Sequence, residues 1–170
     1  MDATRRLLTL LDEHGSRLHR LLARLTLGQD AADDLLQDLF LKLRESNGFA
    51  KADDPAAFAV RAAVNLAFDW RRRQSRRRDV ALSDDAAGPL IEPLAGILER
   101  EEMEQVLTAV AELPDATRLA VTLRYLERHE TDVVAKVMEN TPHQVRALCA
   151  KGLAMLRERL GEPAREVSDG

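Results

Sequence analysis

Between Arg61 and Arg78 the sequence places seven arginines, at 61, 71, 72, 73, 76, 77 and 78, against a single acid, Asp69, a local balance of +6. Guanidinium groups are planar, permanently charged and well matched to phosphate oxygens, so a cluster of one sign points to nucleic acid. The alternative is a solvated basic helix end. Arg61, Asn65, Asp69, Arg72 and Arg76 fall at i, i+4, i+8, i+11 and i+15 and therefore line one side of a helix, with Arg73 in the same run. Phe58, Phe68 and Trp70 share that helix. Aromatics at such positions are ordinarily core residues, and one that stays exposed is a platform on which an unpaired base can stack.

A second grouping has a different character. Asp34, Gln37, Asp38 and Leu41 fall at i, i+3, i+4 and i+7, so two acids, an amide and an outward leucine share one helix face. Such a face is either plain solvated surface or a docking surface for another protein. Other chemistry finds little support. His14, His19, His129 and His143 share no metal-ligand spacing with one another or with Cys149, so no metal is expected. No Ser-His-Asp arrangement, glycine-rich phosphate loop or isolated carboxylate pair stands out, so neither catalysis nor a cofactor is expected. The single cysteine cannot form an internal disulfide, which indicates a reducing compartment. No apolar run approaches the roughly 18 residues that span a bilayer, and Met1 to Leu11 lacks the small-residue cleavage site of a signal peptide. The expectation is a cytoplasmic, non-enzymatic protein without a membrane segment.

The elements that must position these residues are helices. In 170 residues there are eight glycines, six prolines and 4% aromatics, with Leu, Ala, Arg and Glu dominant, which favours an all-α fold. From Asp79 to Glu102 seven acids face Arg100 alone, a balance of −6, so the whole-chain charge of −4 conceals two opposed blocks. Gly88, Pro89, Pro93 and Gly96 in that stretch mark a flexible acidic linker, here expected over 79–96, between two small helical domains at 1–78 and 97–161, with a tail at 162–170.

In the first domain, leucines from Leu7 to Leu25 recur at helical spacing, with a break expected near Gly15-Ser16. A helix capped by Asp30 runs to about Glu45, with Leu36, Leu39, Phe40 and Leu43 as its core face. The next opens at Asp54-Pro55 and runs to about Arg77, with Val60, Val64 and Ala67 turned to the core. In the second domain, helices are expected near 98–112, from an Asp115 cap to Leu126, and over 130–138. Thr141-Pro142-His143-Gln144 then writes a capping box for a last helix whose inner stripe is Val145, Cys149, Leu153, Leu156 and Leu160. The final two, joined by a short turn beside the small Ala135, describe a helix-turn-helix.

These segments, taken in order, resemble a known family. Asp34-Leu-Leu-Gln-Asp38-Leu-Phe-Leu-Lys-Leu43, then Pro55 to Asp69 running into arginines, then Leu113-Pro114 and Leu123-Arg-Tyr-Leu-Glu127 ahead of the helix-turn-helix, look like bacterial RNA polymerase sigma factors of the sigma-70 family. The two-domain layout resembles the extracytoplasmic-function (ECF) group. The resemblance implies a subunit that binds core RNA polymerase through Asp34, Gln37, Asp38 and Leu41. It implies single-stranded minus-10 promoter DNA on Phe58, Arg61, Asn65, Asp69, Arg72, Arg73 and Arg76, where a flipped base stabilises strand opening without covalent chemistry. It further implies that His143, Gln144 and Arg146 read the double-stranded minus-35 element, with Lys151 nearer the phosphates. An anti-sigma factor is a further partner that the resemblance allows for.

Three positions depart from the family pattern. Glu139 stands where the turn usually has Gly, leaving Asn140 as the nearby residue at ease with a left-handed backbone. Leu148 replaces a frequent basic residue, and Val133 a frequent acid. A degenerate sigma-like interaction protein, or a helix-turn-helix regulator without promoter opening, are the alternatives.

Overall fold

Leucine spacing drives the first element. In the computed structural model, which describes residues 2–80 and 94–161, α1 spans Ala3–Thr26 and buries Leu10, Leu18, Leu21, Leu22 and Leu25 along one face. Gly15 does not break it, contrary to the expectation from sequence. A mid-helix glycine weakens a helix by only about 1 kcal/mol, and this one is buried with Leu11 folded over it, 3.1 Å from where a Cβ would stand. The helix ends on Leu27 in the left-handed region, at φ 60°.

The second helix, α2 (Gln29–Arg44), starts ahead of the expected Asp30 cap. Gly28 occupies the cap position, and Asp30 lies in the first turn, where its charge suits the helix dipole. Its fully buried face is Ala32, Leu35, Leu39 and Leu43, while Leu36 and Phe40 are half-buried on the shoulder. A short helix not foreseen, α3 (Asn47–Lys51), is capped by the Ser46 hydroxyl, which accepts from the Phe49 N–H at 3.1 Å. It drops Phe49 into the core. The long α4 (Pro55–Val80) opens as expected, with Asp54 accepting from the Ala57 N–H at 3.1 Å. Val64, Ala67 and Phe68 are buried, and Val60 is half-buried.

Residues 81–93 and 162–170 lie outside the described residues, and with them most of the expected linker and all of the expected tail. The following helix, α5 (Leu94–Ala111), begins inside the segment expected to be linker. After Leu113-Pro114, α6 (Asp115–Val121) carries Asp115 in its first turn rather than at its cap, and it continues as a π-helical turn over Thr122–Leu126. Two more helices, α7 (Thr131–Met138) and α8 (Pro142–Leu160), are joined by a tight turn. Glu139 takes the left-handed conformation there, at φ 58°, and not Asn140. The Asn140 N–H then reaches back to the Ala135 carbonyl at 2.9 Å, which closes the end of α7.

The capping box forms as written: the Thr141 hydroxyl accepts from the Gln144 N–H at 3.2 Å, and the Gln144 side chain accepts from the Thr141 N–H at 2.9 Å. On α8, Val145, Cys149 and Gly152 are buried, Leu153 and Leu156 are half-buried, and Leu160 is 37% exposed, so the inner stripe fades towards the end. Burial pushes the Cys149 thiol above its ordinary range, against a smaller opposing pull from Arg124, and keeps it a protonated core group.

Buried residues of both halves join one apolar cluster, in which α4 touches α1, α2, α5, α6 and α7. At Gly152, α8 lies close against α6. A Cβ on Gly152 would overlap Val121 Cγ2 and stand 3.0 Å from Thr117 Cγ2. Gly152→Ala is therefore expected to lose roughly 1–3 kcal/mol of stability, the range for overpacking a close-packed core, despite alanine's better helix propensity. Urea unfolding followed by circular dichroism measures it.

Candidate nucleic-acid interface

The α2 grouping and the α4 grouping meet different fates. Asp34, Gln37 and Asp38 are exposed together on α2, and Leu41 beside them is 52% exposed. They form the single outward stripe that the spacing implied, with no hydrogen-bond or ion-pair partner among the described residues.

On α4 the side chains are already engaged. Arg61 donates to the Val137 carbonyl in the last turn of α7, and its guanidinium lies over the Phe58 ring, 5.5 Å from the centroid. Arg72 donates to the Ala111 carbonyl at the end of α5, at 2.9 Å, and pairs with Asp69 one turn back on its own helix. The Asn65 side-chain oxygen accepts from Arg118 of α6 at 3.3 Å. Arg76 reaches only the Arg72 carbonyl of its own helix, at 3.4 Å, and both Arg73 and Arg76 are exposed. Phe58 is half-buried, 6.0 Å from Phe49 in a tilted pair.

Two arginines that the sequence reading did not single out individually hold the seam. Arg118 is 3% exposed. It donates to Asn65, to Asp115 at 2.9 Å and to the Leu113 carbonyl at 3.3 Å, and it lies over the Phe68 ring at 5.7 Å. Arg71 is 7% exposed and pairs with Glu104 of α5. Burial lowers the Arg71 guanidinium from its usual very high value, while the Glu104 carboxylate pulls the other way. A signal for Arg118 did exist: the run from Thr117 to Leu123 is almost entirely uncharged, so its one cation has no polar face to occupy. Between α4 and α5 lies a half-open cleft of about 520 Å³, with Arg72, Arg76 and Arg78 on one wall and Glu104 and Glu112 on the other.

On α8, His143, Arg146 and Lys151 point into solvent. Gln144 is also exposed, but its side-chain oxygen is taken by the capping box, which leaves its amide nitrogen as the group that can reach outward. Among the described residues no three His, Cys, Asp or Glu side chains gather to hold a metal ion, and no helix is long and apolar enough to cross a membrane.

The family described as sigma-70 region 2 matches residues 10–77, the stretch from α1 to the arginine run of α4. The ECF RNA polymerase sigma factor SigM of Bacillus subtilis is 33% identical over 115 residues, covering 65% of this chain and 68% of that protein. The chain belongs to the ECF sigma factors. The RNA polymerase sigma factor CarQ of Myxococcus xanthus is 28% identical to this sigma factor over 160 residues, 94% of this chain and 91% of its own. In fold, this sigma factor is similar to the chain solved in the structure of CnrH in complex with the cytosolic domain of CnrY, with a TM-score of 0.51 at 18% identity, covering 92% and 88% of the two chains.

The seam makes a direct prediction for this sigma factor. Arg118→Ala removes a buried guanidinium together with its bonds to Asn65 and Leu113, and is expected to destabilise the fold by about 2–4 kcal/mol. Asp115→Ala, at a carboxyl side chain 91% exposed, is expected to change stability little, because water replaces it on the guanidinium. Parallel chemical denaturation of the two variants checks the contrast.

Proposed function

We propose that this sigma factor binds core RNA polymerase through Asp34, Gln37, Asp38 and Leu41, directs it to promoters and stabilises the open minus-10 strand on α4. The observation that carries the reading is the α2 stripe. A leucine 52% exposed beside two carboxylates and an amide suits a partner whose surface is apolar at one point and basic around it. Arg61, Asn65, Asp69, Arg72, Arg73 and Arg76 present a graded surface along α4. Its arginines suit phosphates, Asn65 can hydrogen-bond a base edge, and Phe58 offers half a ring face for stacking. Strand opening then needs no covalent chemistry, since binding energy for the single strand offsets the loss of pairing.

The helix-turn-helix of α7 and α8 is assigned to the double-stranded minus-35 element. His143 and Arg146 stand near the N-terminus of α8, the end that enters a major groove, and Lys151 lies further along, towards phosphates. With Gln144 held in the capping box and Leu148 half-buried, this reader has few free polar groups. We assign most of the DNA affinity to α4. The site is placed in the cytoplasm by the partner, since polymerase and DNA are there.

The test is co-elution of the purified protein with core polymerase, followed by transcription from a promoter library. Asp38→Arg is expected to weaken polymerase binding at least about tenfold through charge reversal at the stripe. Arg73→Ala with Arg76→Ala is expected to leave polymerase binding intact, weaken promoter binding and lower the slope of affinity against salt by about two phosphate contacts. Absence of co-elution by the wild-type protein would sink the assignment. Co-elution without transcripts would instead mark an interaction protein that has lost promoter readout.

A further inference from the structure

We propose that a cleft between α1, the first turns of α4 and the stretch from Leu123 to Val137 is a binding site for a small amphipathic carboxylate, an apolar chain or ring that ends in one negative charge. The cleft holds about 330 Å³ and shares no lining residue with the cleft between α4 and α5. Its volume lies at the lower end of the range in which small-molecule sites fall. None of the residues assigned above to polymerase or promoter DNA lines it, so the proposal stands apart from those assignments.

The apolar part of the lining is Leu18, Leu21 and Leu123, all buried in the core, with the half-buried Val60 of α4 and Val137 of α7. A hydrocarbon body placed against them leaves water on every side but the mouth. The charged part is unequally engaged. Of the two acids, Asp54 accepts from the Ala57 N–H at 3.1 Å as the cap of α4, and Glu127 is paired with Arg24 at 2.9 Å. Arg17 and Arg20, both exposed, have no hydrogen-bond or ion-pair partner among the described residues. Glu13, one turn before Arg17, lies instead 3.8 Å from His14.

What remains unmatched is positive charge beside an apolar recess. Charge complementarity favours an anion over a cation, and the recess favours an anion with an apolar body over a bare ion. Arg17 and Arg20 stand at i and i+3, close enough to donate together to the two oxygens of one carboxylate. The half-buried His129 adds a ring N–H on the opposite wall. Because the walls come from 14–24, 54–60 and 123–137, the site exists only in the folded chain, and an occupant must raise its stability.

The experiment is calorimetric titration of the full chain at neutral pH with sodium octanoate below its micelle concentration, with the urea unfolding midpoint as a second readout. Saturable one-to-one binding is expected, with a Kd of roughly 0.1–1 mM for so small a ligand, and the midpoint should move to higher urea. Octylammonium keeps the chain and reverses the charge, and acetate keeps the charge and lacks the chain. Each is expected to bind at least about tenfold more weakly than octanoate.

Arg17→Ala with Arg20→Ala is expected to weaken octanoate about tenfold while the helical circular dichroism stays unchanged. Val60→Phe places a ring in the recess and is expected to weaken it as much with both arginines in place; should that variant lose its helical signal, Val60→Leu carries the same test. Octylammonium binding as tightly as octanoate would overturn the site, leaving apolar adsorption alone. Unchanged binding by the arginine variant, or by a folded Val60 variant, would equally overturn it, as would titration without saturation or an unmoved midpoint at saturating octanoate.

Discussion

A guanidinium group taken out of water must find acceptors, and this fold takes two of them out of water at one seam. Arg71 and Arg118 are both nearly fully buried, one on α4 and one on α6, and each donates across the seam to a group from the other half, while the Nε of each finds no acceptor. Losing Glu104 would leave the Arg71 charge buried without its carboxylate, a far larger penalty than loss of a surface pair. The position of α5 and α6 against α4 follows from that constraint, as does the placement of the Ala111 and Val137 carbonyls over Arg72 and Arg61. Apolar contact completes the seam.

Much of this was legible in the sequence, because helical periodicity and capping chemistry are local. Asp54-Pro55 and Thr141-Pro142-His143-Gln144 opened helices where their side chains said they would. The exposed stripe of α2 followed from spacing alone. Errors arose where tertiary packing overrode a local preference. Gly15 stayed helical because the leucines around it are buried on one face, and Glu139 took a left-handed turn because the packing of α7 on α8 fixes the path there. The core face of α2 kept Leu39 and Leu43 but took Ala32 and Leu35 in place of Leu36 and Phe40, which lie half-buried on its shoulder.

The interface residues divide along the same line. Which residue types lie along α4 is a matter of sequence; whether they face water is a matter of what folds over them. Charge arithmetic gave a +6 block followed at once by a −6 block, yet the carboxylate that pairs with Arg71 is Glu104, just beyond the acidic block.

The most direct test of the account is a distance between the halves, from fluorophores placed at Arg77 on α4 and Lys136 on α7, two exposed positions outside the polar links of the seam. Energy transfer should report one short distance in the free protein, in agreement with the packed fold, and a longer or broader one in the Glu104→Ala variant, where Arg71 loses its carboxylate. The same distance in wild type and variant would contradict the claim that the buried arginines hold the two halves in place.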